Sequence, residues 1–282
     1  ETVIKALKQG SDIQSPYAPA PIEEVVAAIL REKPEVFFAP HVETSCGIIL
    51  PTVYMRAVAD AVHSVGGLFV LDCIASGTIW VDMVEAGVDV IISAPQKGWS
   101  GSPCCALIAM SELARVRIDS TTSTSYACDL KKWLNIMETY EAGGHAYHTT
   151  MPTDALRKVR DTMLETKAYG FAKVKAEQQQ LGDAVRAMFK SRGIKSVAAK
   201  GFEAPGVVVS YTEDAGMQSS KKFLAVGLQT AAGVPLMCDE GADFKTFRIG
   251  LFGLDKLHNI DRSVKSLSDA LDQVLEPLAV AA

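Results

Sequence analysis

The sequence has no dense run of basic residues, no C-x-x-C pair and no uncharged apolar stretch of the roughly 18 residues that a membrane span needs. The first absence, with a net charge of -5, argues against a nucleic-acid partner. The second leaves no usual zinc-ligand spacing. The six cysteines (Cys46, Cys73, Cys104, Cys105, Cys128 and Cys238) are expected to be small hydrophobes in a reducing cytoplasm. The third argues against membrane insertion, and no secretory h-region opens the chain. Internal repeats and low-complexity tracts are also missing. The chain opens on Glu1, not Met, so a processed, truncated or partly supplied polypeptide is expected.

What is present is enough for a substantial core. Hydrophobic residues make up 48% of 282 positions, which allows one large domain or two ordinary ones. The Pro-rich stretch Ser11 to Pro21 reads as loop. Residues 22–110 then alternate helix and strand. A helix follows Pro21, with Glu23 and Glu24 in its favourable first turn. Glu35 to Ala39 reads as a buried strand, and the loop PHVETSCGIILP follows. Pro51 to Ser64 reads as helix, GLFVLDCI (Gly67 to Ile74) as strand, VDMVEAG as a short helix, and Val88 to Ile92 and Cys104 to Met110 as strands. This order predicts a mostly parallel sheet between helices, in an α/β large domain over residues 1–154. Leu130 to Tyr140 reads as helix, and the loop EAGGHAYHTTMPT follows. Long helices run from Asp154 to about Arg192, broken at Gly170. Beyond them come strands at Gly206 to Thr212 and Thr246 to Leu251, a helix around Ser220 to Val226, and a terminal helix from Asp255 to Leu278. Residues 155–282 therefore read as linking helices and a smaller α+β domain.

The chemistry centres on Lys97, in VDVIISAPQKGWSGSP, and Asp72, near the carboxyl end of its strand. A right-handed parallel crossover opens both strand ends on one edge of the sheet, where open α/β sheets hold their ligands. A lysine can form a Schiff base with an aldehyde when its amine is unprotonated and held in place. A carboxylate at a buried strand end needs a partner, and the pyridine nitrogen of pyridoxal phosphate (PLP) is one. Alone, each residue has a plainer reading: Lys97 as a solvated loop lysine, Asp72 as a cap.

Taken together, HVETSCGIILP, VLDCIASGTIWVDMVEAGVDV, SAPQKGWSGSP, AYHTTMPT and TFRIGLFG make the chain resemble the class V aminotransferases of PLP fold type I. Within them it is most similar to the alanine–glyoxylate and serine–pyruvate group. The resemblance implies a homodimer with shared active sites, transferring an amino group from a small amino acid to a small keto acid by ping-pong chemistry. It implies that Lys97 bonds the cofactor and moves the proton, and that Asp72 holds the pyridine nitrogen. Ile74, two residues on along the same strand, would pack on the ring. Thr44 would bond the phenolic oxygen and Gln96 the phosphate. Tyr147 and Thr150 would reach the phosphate of the neighbouring subunit's cofactor, and Arg248 would clamp the substrate carboxylate.

Alternatives stay open at this point. Thr44 could satisfy a loop amide, His145 and His148 could be structural, and Arg248 could sit in an internal ion pair. PLP-dependent lyases (cysteine desulfurases, kynureninase-like hydrolases) share the scaffold, but Gln96 before Lys97 points away from a desulfurase, which has histidine there. An inactive truncated homologue is the third reading. Val42 replaces the family's usual glycine. The family's phosphate-cradling loop and its ring-stacking aromatic belong to an earlier segment, which is expected to lie before Glu1.

Overall fold

The computed structural model describes residues 1–276, so the end of the expected terminal helix, at Leu278, lies outside the described residues. Two helices and the strands after them build the first core. Helix Ile22–Glu32 starts behind Pro21, carries Glu23 and Glu24 against its positive end, and closes on Lys33 in the left-handed region (φ 48°). Helix Thr52–Ser64 buries Met55, Val58, Ala59, Ala61 and Val62. Their apolar faces meet Phe69 and Leu71, both 0% exposed. Burial of each such side chain stabilises the fold by about 1.5–3 kcal/mol.

Those two residues belong to strand Leu68–Asp72, the second of a four-stranded sheet. The order is Val36–Pro40, Leu68–Asp72, Val90–Ser93 and Leu107–Met110. The first three are parallel and the fourth is antiparallel, which makes the sheet mostly parallel as expected. Pro40 pairs with Asp72 and Asp72 with Ile92, so three carboxyl ends share one edge. The crossover into Val90–Ser93 passes through helix Met83–Ala86, whose Asp82 cap accepts from the backbone N–H groups of Val84 and Glu85. The strand expected to be buried is instead a sheet edge, with Val36 and Phe38 54% and 56% exposed.

Two strand readings need correction. The strand read as Gly67 to Ile74 stops at Asp72, because the Asp72 carboxylate accepts the N–H of Ile74 (2.9 Å) and turns the chain. The strand read as Cys104 to Met110 begins only at Leu107, the partner of Ser93 at the end of its neighbour.

A second sheet forms from Ala231–Ala232, Thr246–Gly250 and Val207–Tyr211, all antiparallel. Helices Phe171–Ser191 and Ile260–Leu275 cover it through Val174, Leu181, Val185, Leu267 and Leu271. Gly170 (φ 109°) separates helix Thr153–Tyr169 from Phe171–Ser191, where the sequence places a break. The expected terminal helix is itself divided, into Leu254–Leu257 and Ile260–Leu275. The stretch read as loop over Ser11 to Pro21 contains strand Tyr17–Ala18, which pairs with Leu7–Lys8. This hairpin docks on the second sheet: Tyr17 donates its N–H to Val197, and the Tyr211 hydroxyl donates to the carbonyl of Ser15.

Leu71→Ala should lower the unfolding free energy by about 2–5 kcal/mol. Val53→Ala, on the 80% exposed side of its helix, should change it by less than about 0.5 kcal/mol. Urea denaturation of the two variants beside the parent checks both values.

Candidate active site

Asp72 ends its strand half-buried. One carboxylate oxygen is engaged by Ile74 N–H, and among the described residues no cation pairs with it. Its carbonyl accepts from the N–H of His41, the first residue past the neighbouring strand. Ile74 lies in the turn beyond the strand, so the strand alternation expected to aim it does not extend to it. Half-buried Ile74 remains adjacent to Asp72 through that one hydrogen bond.

Lys97 stands in the turn after Val90–Ser93, and main-chain contact ties this turn to the loop after Asp72. A Cβ at Gly98 would lie 2.1 Å from the carbonyl oxygen of Gly77, so only glycine fits at that approach. Aromatic packing supports the turn from behind. Trp99 lies against Trp80 (4.9 Å between ring centroids), and both meet Phe171 at the head of its helix. The Trp80 indole N–H donates to the carbonyl of Phe171. The Lys97 ammonium has no carboxylate partner among the described residues and lies 5.7 Å from the centre of the Phe252 ring. That distance is within cation–π range.

Phe252 leads to Arg248, in strand Thr246–Gly250. The guanidinium donates to the carbonyl of Ala232 (2.7 Å) and to the carbonyl of Thr44 (3.4 Å), so Arg248 and Thr44 come together. No internal ion pair claims Arg248 among the described residues. Burial lowers its pKa, and the nearby Glu43 opposes that shift. The Glu43 carboxylate is itself occupied by the N–H and hydroxyl of Ser45.

Among the described residues, the remaining expected residues make no hydrogen bond to this group. Gln96 is exposed beside Lys97. Tyr147, 71% exposed, bonds to Thr150 through the two hydroxyls (3.2 Å), and Thr150 is also exposed. His148 packs on Tyr126 and Trp133, and His145 on Tyr140, which favours the structural reading of both. Cys46 and Cys73 are buried, with pKa values pushed up to about 12 mainly by desolvation, whereas Cys128 is exposed. Two shallow concavities of about 290 and 240 Å³ lie around Phe244; neither is lined by Lys97, Asp72 or Arg248.

Sequence reasoning missed His41. It is 3% exposed, and its Nδ1 meets the Ser76 hydroxyl at 2.7 Å. With its N–H on Asp72 and its carbonyl accepting from Leu50, it locks the Thr44 loop to the Asp72 loop. The available signal was its place directly after a strand that ends on the site's edge. The imidazole is a structural support: burial, with Lys175 nearby, lowers its pKa to about 4.

That shift sets a pH dependence. An unfolded histidine titrates near 6.5 and the folded His41 only near 4. Between those values only the unfolded chain gains the proton. Stability from this group is complete above about pH 6.5 and declines toward pH 4, by about 3 kcal/mol in all. His41→Asn should flatten the pH dependence of the urea midpoint across that window. Separately, Gly98→Ala should expose the turn: trypsin should cut after Lys97 several-fold faster, on the order of the loss of one tight contact, while far-ultraviolet circular dichroism stays unchanged.

No family model matches the chain. Its sequence is 24% identical over 267 residues to an alanine–glyoxylate aminotransferase of Oryctolagus cuniculus, covering 92% of this chain and 66% of that protein. Among solved structures, the alanine–glyoxylate aminotransferase of Nostoc sp. superposes with a TM-score of 0.77 at 22% identity, over 91% of this chain and 66% of that one. The ureidoglycine–glyoxylate aminotransferase of Bacillus subtilis gives 0.74 at 22% identity, over 92% and 64%. The chain thus spans about two thirds of the length of these proteins. Along nearly its whole length the chain is similar in sequence to glyoxylate aminotransferases, and its fold is that of the solved aminotransferases on which it superposes.

Proposed function

We propose that this chain acts in a PLP-dependent aminotransferase that moves an amino group from a small amino acid, of the alanine or serine type, to a small keto acid such as glyoxylate or pyruvate. The carrying observation is one sheet edge where, among the described residues, an acid without a cation (Asp72) and a lysine without an acid (Lys97) are joined through Gly77 and Gly98, with Arg248 likewise unpaired. Unmatched, partly buried charges call for a ligand that matches them. PLP with an amino acid bears a ring nitrogen for Asp72, a carbonyl carbon for Lys97 and a carboxylate for Arg248. The names of the relatives support glyoxylate as acceptor.

When bound, the cofactor supplies an electron sink for the bond broken at the substrate Cα. The protein's part is orientation and proton handling. Asp72, fixed by Ile74 N–H, keeps the proton on the pyridine nitrogen. Lys97 would hold the cofactor and move the proton taken from the substrate Cα. Arg248 takes the substrate carboxylate in a bidentate pair and so presents Cα to the lysine. Thr44 bonds the phenolic oxygen, Ile74 covers a ring face and Gln96 contacts the phosphate. Tyr147 and Thr150, exposed on this chain, serve the phosphate of the second subunit in a homodimer. A cytoplasmic location belongs to the same reading, which the six unpaired thiols support.

Adding PLP to the parent should produce a visible absorption band that L-alanine or L-serine bleaches, and Lys97→Ala should lack it. Arg248→Gln should keep the band but raise KM for the amino acid by about 10–100-fold, the cost of a lost bidentate pair. A parent without the band would sink the proposal. Sulfide release from L-cysteine with no keto-acid-dependent turnover would move the chain to the lyases.

A further inference from the structure

Gln178 is the one polar side chain of helix Phe171–Ser191 that is 0% exposed, on a stripe otherwise made of Val174, Leu181 and Val185. Leucine would fit that stripe at lower cost, since a buried primary amide is stabilising only when its groups are bonded. The Gln178 amide nitrogen donates to two carbonyls, those of Pro205 (3.4 Å) and Leu251 (3.3 Å). Pro205 leads into strand Val207–Tyr211, and Leu251 directly follows the strand that carries Arg248. The amide oxygen points the other way. It is buried without a hydrogen-bond partner and faces Gly77, where a Cβ would sit 3.2 Å from it. Rotating the amide by 180° would set its oxygen against two carbonyl oxygens, so this orientation is the one that bonds.

Gly77 is the residue against which Gly98 packs, next to Lys97. The Phe252 ring fills the same junction: its edge would touch a Cβ at Gly77 (3.4 Å) or at Gly206 (3.2 Å). One helical turn before Gln178, the carbonyl of Val174 accepts from the hydroxyl of Thr78 (3.1 Å). One amide therefore stands where the loop after Asp72, the turn at Lys97 and the end of the Arg248 strand converge.

We propose that Gln178 is a positioning residue: it holds the end of the Arg248 strand against the Asp72 and Lys97 loops and so sets the span between the carboxylate clamp and the reactive lysine. This rests on the aminotransferase reading above. The side chain touches none of the reacting groups and acts through Leu251 on one side and Gly77 on the other.

The test uses Gln178→Leu and Gln178→Glu in the whole chain. Without cofactor, hydrogen–deuterium exchange in Gln178→Leu should rise in residues 76–79 and in 250–253 together, with helix Phe171–Ser191 still protected. With PLP, its absorption titration should stay within about twofold of the parent while KM for the amino acid rises about tenfold, the scale of one buried hydrogen-bonded group. In an Arg248→Gln background the same change should add less than about twofold, because the clamp it positions is already lost. Gln178→Glu should be impaired at neutral pH and recover as pH falls, since a protonated carboxyl regains a donor for one carbonyl. Equal KM penalties in both backgrounds, or unchanged exchange in the two loops, would overturn the proposal. Should Gln178→Leu not fold, the pH recovery of Gln178→Glu decides: no recovery overturns it. A parent that takes up no PLP would remove the aminotransferase reading, while the exchange comparison would still decide whether Gln178 ties the loops.

Discussion

The contact between the backbones of Gly98 and Gly77 is the constraint from which the site follows. It joins two loops that the parallel crossover has already brought to one edge, and it joins them by main chain alone. Side-chain contacts between loops leave rotamers to be ordered, each at an entropic cost. A contact between two residues without side chains has no such freedom. The spacing of Lys97 from Asp72 is thus a property of the fold. What side chains add is support from behind: Trp80, Trp99 and Phe171 on one side, Phe252 on the other.

Several partly buried charges elsewhere are matched by an opposite one. Arg192 meets Asp272 and Lys222 meets Asp214, each carboxyl held below its ordinary pKa first by that hydrogen bond. Asp89 lies buried but is met by His63, Ser111 and the N–H of Phe69. The edge holding Asp72, Lys97 and Arg248 departs from this habit. Keeping charged groups half-buried without counter-ions opposes folding, and a ligand of complementary charge relieves that cost on binding. The burial that depresses the Arg248 pKa is a measure of the same tension. His41 shows the other solution: buried in the same region, it stays neutral and serves as a hydrogen-bonded spacer.

Much of this was legible in the sequence because the local signals agree with the fold. Pro21 and Pro51 start helices, Asp82 caps one, Gly170 divides two, and the alternation over residues 22–110 yields the sheet and its reactive edge. The errors have specific causes. Ile74 was placed by strand periodicity, but a carboxylate that bonds its own chain ends a strand early. The strand inside Ser11 to Pro21 pairs with Leu7–Lys8 and is held on its other side by Val197 and Ala199, partners far away in sequence. Gln178 is hidden in the run Glu177, Gln178, Gln179, Gln180, which looks like a solvated face. Its spacing gives it away: position 178 falls four residues after Val174 and three before Leu181, on the apolar stripe. Whether an ion pair claims Arg248 stayed open in the sequence, since a strand sequence does not say whether an acid stands opposite.

The stacked indoles have an optical consequence. The chain has three tryptophans, and two of them, Trp80 and Trp99, lie close enough for their transitions to couple. Trp99 is two residues from Lys97, and Trp80 is hydrogen-bonded to the helix head. Two of the three indoles that emit therefore sit beside the turn that carries Lys97. Light collected from the unlabelled protein is weighted toward that turn, with Trp133 the one indole reporting from elsewhere.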